Sequence, residues 1–181
     1  LKFIPTKLEG AYVIEPSFNK DDRGLFMRTY CKKEFQNLGF SGDWVQMNHS
    51  VSFKKGTVRG MHFQIQPYGE VKLVRCIAGA VFDVIVDLRK ESETFLQWTG
   101  VELSSQNKRM IFIPKGFAHG FQTLEENCEL IYHHSEFYTH EAEDGIMYND
   151  PAIGIDWPIE VTVVSERDKN HKLINKEFKG I

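Results

Sequence analysis

Between Thr57 and Arg75 the chain reads TVRGMHFQIQPYGEVKLVR, which sets Arg59, His62, Glu70, Lys72 and Arg75 among residues that otherwise suit a buried β-strand. Strands bury every second side chain, and unpaired charge in a dry interior is very costly. Charge at that density inside a core-forming segment needs a partner or a ligand, which marks this stretch as the expected active site. A neutral histidine, with an ordinary pKa of about 6.5, can serve as a general base at physiological pH. A lysine beside it can hold negative charge developing on a carbonyl oxygen, and a tyrosine on the other side can give a proton back. Together these groups would abstract a proton next to a ketone, the chemistry of epimerisation or isomerisation.

A second histidine, His119, follows the turn Pro114-Lys115-Gly116 and opens the next strand. These two strands resemble the two motifs of the cupin superfamily, a jelly-roll barrel whose interior often holds a metal through three histidines and a glutamate. Here the first motif is His62-Phe63-Gln64, one imidazole short. His62, Glu70 and His119 could still form a facial triad for iron, but Lys72 and Arg59 bring positive charge to the place where a dication would sit. The alternative for His119 is a core histidine bonded to backbone.

The elements that must carry these residues are short strands. AYVI at 11–14, LFMRTY at 25–30, WVQMNHSVSF from Trp44, TVRGMHFQ, EVKLVRCIAG, VFDVIVDLR, WTGVELS, RMIFIP, FAHGFQTL and CELIYHHSEFY are separated by turn signals such as Asn19 to Gly24, Lys54-Lys55-Gly56 and Ser104 to Lys108. Such spacing is the pattern of an all-β sandwich or barrel. Residues 32–39 predict a short helix ending at Gly39. The polar tail after Trp157-Pro158 predicts a turn at Ser165 to Asp168 and a short helix. Asp83 and Asp87 share one strand face and are expected to bind Arg75 or Arg89, whereas His133, His134, His140 and His171 read as solvated or rim residues.

The chain has 181 residues, 41% hydrophobic and 26% charged, which fits one soluble domain spanning 1–181. No internal repeat or low-complexity linker divides it. The net charge of −3, with both signs well mixed, gives no footprint for nucleic acid or an anionic membrane. No apolar run reaches the length of a membrane span, and a signal peptide's basic start and apolar core are not seen at the N-terminus. Cys31, Cys76 and Cys128 are too few and too widely spaced for a disulfide framework or zinc knuckle. They fit a reducing cytoplasm.

Six segments in order carry a further resemblance. They are Arg59 to Gln64, Lys72 to Arg75, Val81 to Arg89, Ile113 to Phe121, Asn149-Asp150-Pro151 and Gly154 to Pro158. Together they resemble the dTDP-4-dehydrorhamnose 3,5-epimerase family, over a span from Arg23-Gly24 to Ser165–Asp168. The resemblance implies a cupin-type jelly-roll barrel (double-stranded β-helix) with a few short helices. It also implies a cofactor-independent, metal-free epimerase that inverts C3 and C5 of a nucleotide-linked 4-keto-6-deoxyhexose, taking dTDP-4-dehydro-6-deoxy-glucose to dTDP-4-dehydro-rhamnose. On this sequence His62 would be the base, Asp168 its partner, Lys72 the enolate stabiliser and Tyr132 the acid on the opposite face. Arg23 and Arg59 would meet the diphosphate. Gln46 and Asn48 would contact the nucleotide end and Tyr138 would stack on the base. Phe26, Gln64, His119, Glu143 and Arg167 would line the remainder.

Family members pair through N-terminal strands, so a homodimer is expected. Arg28, Met47 and Glu70 depart from the family pattern, where an acidic residue, an aspartate and a glutamine are usual, and these departures bear on which nucleotide and sugar are accepted. The alternatives are a 3- or 5-epimerase on another nucleotide sugar, a metal-dependent cupin oxygenase and a non-catalytic sugar-binding cupin.

Overall fold

A computed structural model describes residues 1–181. The chain builds fourteen strands: β1 (Lys2–Pro5), β2 (Tyr12–Glu15), β3 (Phe18–Asp21), β4 (Gly24–Met27), β5 (Gln46–Ser52), β6 (Thr57–Gln64), β7 (Lys72–Ala78), β8 (Ala80–Asp87), β9 (Trp98–Ser104), β10 (Met110–Ile113), β11 (Phe117–Thr123), β12 (Cys128–His134), β13 (Glu143–Gly145) and β14 (Val163–Val164). One helix, α1, covers Lys32–Gln36, and a 3₁₀ turn covers Asp168–Asn170.

The strands form two main sheets. One runs β1-β2-β10-β7-β12-β5, the other β13-β6-β11-β8-β9 with β14 added beside β6. Pairing is antiparallel except between β14 and β6. The sheets pack face to face as a jelly-roll barrel, in agreement with the sequence. Its closed end is filled by Val74, Cys76, Val81, Ile85, Ile111, Ile113, Phe117, Phe121 and Leu130. The outer face of the second sheet is covered by the C-terminal segment through Ile153, Trp157, Ile174 and Phe178. Phe35 of α1, with Phe40 and Trp44, covers part of the outer face of the first.

Several expectations change. Residues 19–24, read as a loop, form a hairpin in which Asp21 pairs with Gly24 and β3 faces β4. Strands β1, β13 and β14 are too short or too polar to announce themselves. Asp87 does bind Arg89, at 2.8 Å, but Asp83 binds His119, and Arg75 keeps a buried Nε without a hydrogen-bond partner. His134 and His171 are not rim residues: their side chains are 11% and 10% exposed.

Candidate active site

At the open end the apolar filling gives way to a cavity of about 550 Å³ between the two sheets. Its wall on the second sheet carries His62 and Arg59 from β6 and His119 from β11, and its wall on the first carries Gln46, Asn48 and Ser50 from β5, Lys72 from β7, and Tyr132 and His134 from β12. Strict alternation would put Arg59 and His62, three residues apart, on opposite faces of their strand. The register of β6 against β11 shifts between His119↔His62 and Phe121↔Arg59. Such a bulge re-aims a side chain, and both residues line the cavity. Gly60 sits at the shift with φ +124°, and a Cβ there would run into Gly120 and the His119 carbonyl. Only glycine fits that backbone.

His62 Nε2 lies 2.8 Å from Asp168 Oδ1, and Asp168 Oδ2 accepts the Gly60 N–H at 3.1 Å. Burial pushes the Asp168 carboxyl upward, but the His62 hydrogen bond and charge, the Gly60 N–H and Ser165 outweigh it and hold the pKa at about 2. An ionised Asp168 fixes the tautomer: His62 donates from Nε2–H and keeps Nδ1 as the free base. The pKa also has a consequence for stability. Because the folded value lies below the ordinary 3.8, this stabilisation is fully present above that pH and is lost as pH falls toward 2. The shift is worth about 2 kcal/mol. Urea titrations between neutral pH and pH ~2.5 are expected to show an acid-induced loss of stability smaller by about that amount in Asp168→Asn. Asp87, held at about 2 by Arg89, Ser92 and Thr94 against its burial, contributes a further share that remains in the variant.

On the facing sheet, Lys72 Nζ lies 3.1 Å from Glu70 Oε1, and His134 Nδ1 lies 2.6 Å from Glu70 Oε2. A directed chain leads there from the cavity mouth. Tyr138 N–H donates to Gln46 Oε1, Gln46 Nε2 to Asn48 Oδ1, and Asn48 Nδ2 approaches His134 Nε2 at 3.3 Å. Tyr132 Oη is 2.9 Å from Ser50 Oγ, and burial drives its phenol well above the ordinary value of 10.0. His119 Nε2 contacts both oxygens of Asp83 at 2.9 and 3.0 Å; burial raises the Asp83 carboxyl and the His119 contact opposes that rise. At the mouth, Glu143 accepts from Tyr138 Oη at 2.7 Å and from Arg167 at 2.6 Å.

The structure therefore gathers His62, Asp168, Lys72, Tyr132, Gln46, Asn48, Arg59, Gln64, His119, Tyr138, Glu143 and Arg167 around one cavity. Gln64 already spends its amide on the backbone of Tyr68, Phe137 and Thr139. Arg23 and Phe26 are not brought there: both sit on the exposed β3–β4 hairpin, where Arg23 pairs with Asp21. The facial-triad alternative fails on geometry: the ligand atoms of His62, Glu70 and His119 are not gathered at one point, Glu70 standing across the cavity with Lys72 and His134 and His119 lying against Asp83. Of the three departures, Glu70 alone lines the cavity; Arg28 pairs with Glu34 and Met47 is 65% exposed on β5. Several cavity residues escaped the sequence reading, Ser50 and His134 among them. Their signal was there in the two-residue spacing from Asn48 and from Tyr132.

The family model described as dTDP-4-dehydrorhamnose 3,5-epimerase matches residues 5–176. The chain belongs to that epimerase family. A curated dTDP-4-dehydrorhamnose 3,5-epimerase from Methanothermobacter thermautotrophicus is 49% identical over 175 residues, covering 94% of this chain and 93% of the relative. A crystal structure of the Bacillus anthracis epimerase with TDP and PPi bound superposes with TM-score 0.92 at 42% identity, covering 96% of this chain and 99% of that one. The Legionella pneumophila epimerase in complex with dTDP-4-keto-L-rhamnose gives TM-score 0.90 at 43% identity, covering 95% and 92%. The chain is therefore an isomerase of the epimerase type.

Proposed function

We propose that this chain, as a single domain, converts dTDP-4-dehydro-6-deoxy-glucose to dTDP-4-dehydro-rhamnose by inverting C3 and C5. The observation that carries this reading is that base and acid stand on opposite sheets of one cavity: His62, backed by Asp168, on one wall, and Tyr132, with Lys72 beside it in the same sheet, on the other. A sugar ring held between them presents one face to each. His62 Nδ1 removes the proton next to the C4 ketone, the C–H electron pair moves into the enolate, and the Lys72 ammonium stabilises its oxygen. Tyr132 then delivers a proton to the same carbon from the other face, which inverts the centre. Each centre undergoes one loss and one gain of a proton, so the reaction needs no oxidant and no cofactor.

The relatives' bound TDP and dTDP-sugar support a thymidine nucleotide at the mouth, where Gln46, Asn48 and Tyr138 lie, with Arg59 toward the diphosphate. A homodimer fits the surface. Phe18, Leu25 and Phe26 are 54%, 47% and 76% exposed on the hairpin, and β5 is an uncovered edge strand with Met47 and Val51 exposed. Such an edge asks for cover. Pairing would let Arg23 and Phe26 serve the site of a second copy. A reducing cytoplasm fits three unpaired cysteines.

Proton NMR of dTDP-4-keto-6-deoxyglucose incubated with the protein in deuterated water is expected to show deuterium entering both C3 and C5. Exchange at one carbon would make it a single-centre epimerase and direct attention to Glu70 beside Lys72. Silence at both would remove the reading.

A further inference from the structure

Behind the His62–Asp168 pair lies a third ligating group that the reaction does not use. His171 follows the 3₁₀ turn that carries Asp168. Its ring stands edge-on to His62 with centroids 5.8 Å apart, and its side chain is only 10% exposed. Nε2 of His171 is buried without a hydrogen-bond partner and points toward Asp168 Oδ1 from 3.8 Å. The ring is wedged against Gly145 of β13, where a Cβ would collide with it. Buried polar nitrogens are nearly always satisfied, so an orphan aimed at a carboxylate calls for an occupant.

We propose that His62 Nε2, Asp168 Oδ1 and His171 Nε2 form a binding site for Zn²⁺, and that the bound ion switches the base off. The three atoms lie within 4.8 Å of one another. Tetrahedral zinc with bonds of about 2.0–2.1 Å holds its ligand atoms roughly 3.4 Å apart. The distances of 2.8 Å from His62 to Asp168 and 3.8 Å from Asp168 to His171 bracket that separation, and the third edge, between the two imidazole nitrogens, lies within 4.8 Å. Two imidazoles and a carboxylate are a donor set zinc favours, with water as a fourth ligand. Arg167, beside Asp168 in the chain, is drawn off by its ion pair with Glu143.

The effect on the base follows from the tautomer. Without metal, His62 carries its one ring proton on Nε2, bonded to Asp168, and offers Nδ1 to the substrate. Zinc takes the Nε2 lone pair, and the ring proton moves through solvent to Nδ1, with none gained or lost by the ring. Nδ1 then has no lone pair to accept the substrate's proton. Because the ion sits behind the ring, away from the nucleotide contacts, it lowers kcat rather than raising KM.

The zinc site stands by itself; its inhibitory consequence rests on the proposed epimerase reading. Titration calorimetry of the metal-free chain with ZnCl₂ is expected to show a site whose affinity falls at least tenfold in both His171→Gln and His171→Asn, as loss of one ligand requires, and is unchanged in His140→Gln on the surface. Added zinc should raise the melting temperature of the wild type and not of the His171 variants, which also reports that those variants are folded. Equal affinity in the wild type and the His171 variants would mean surface binding only and overturn the site. In deuterium exchange, saturating zinc is expected to lower kcat at least tenfold with KM within twofold. A His171-dependent site that leaves kcat untouched would overturn the tautomer switch. If the metal-free chain exchanges no proton at all, the epimerase reading fails, while calorimetry still decides the site.

Discussion

Replacing His62 by alanine is expected to abolish deuterium incorporation at both C3 and C5, lowering the exchange rate by about 10²–10⁴, the range typical of a lost general base. Affinity for the dTDP-linked substrate should stay within a few-fold. The argument rests on what His62 touches. Its Nε2 is spent on Asp168, and the other nitrogen is a free acceptor on the cavity wall, so its removal takes away the proton acceptor without touching the groups at the mouth. A structural role would show differently. Alanine leaves Asp168 buried with the Gly60 N–H but without its imidazole, and unpairing a buried charge destabilises a protein by roughly 3–5 kcal/mol. Denaturant titration measures that cost separately, and retained substrate binding shows that the cavity survives it. Exchange within tenfold of wild type in a folded, substrate-binding variant would remove His62 from the mechanism.

The charged run from Arg59 to Lys72 was legible because local rules govern it: period two sets the faces, and a core does not tolerate unpaired charge. The barrel was legible for the same reason, since most of its strands announce themselves between turn residues. What was hidden depends on pairings distant in the chain. The bulge that turns Arg59 and His62 to one side exists only against β11. Asp83 chose His119 rather than Arg75 because β8 and β11 are neighbours, whereas Arg75 on β7 faces out of the other sheet. His134 looked like half of a surface His-His pair, but β12 has a sheet neighbour on each side and turns His134 inward onto Glu70. His171 is buried by β13, a strand of three residues with no sequence signal of its own. Arg23 and Phe26 were read as site residues from resemblance alone, and a single chain holds them on an exposed hairpin.

Tyr132→Phe is expected to separate proton loss from inversion. In the wild type the two are coupled because the proton leaves to one wall of the barrel and returns from the other. Tyr132 is suited to the returning step: burial pushes its phenol far above neutrality, so it holds its proton through the working range, and the bond with Ser50 fixes where the oxygen sits. A carbanion next to a ketone is basic enough to take a proton from such an acid. Phenylalanine keeps the ring that packs against His134 and His119 but has no proton to give. His62 and Lys72 are untouched, so the enolate still forms, and solvent deuterium carried by His62 returns to the face the proton left. The variant is therefore expected to keep washing deuterium into C3 and C5 while epimer yield per exchange event drops by about 10², the lower end for loss of a general acid. Both quantities come from one NMR time course, the first from loss of the proton signals and the second from the coupling pattern of the inverted sugar. A variant that inverts as often as it exchanges would show that the second proton comes from elsewhere, and on this cavity wall the Lys72 ammonium is the first candidate.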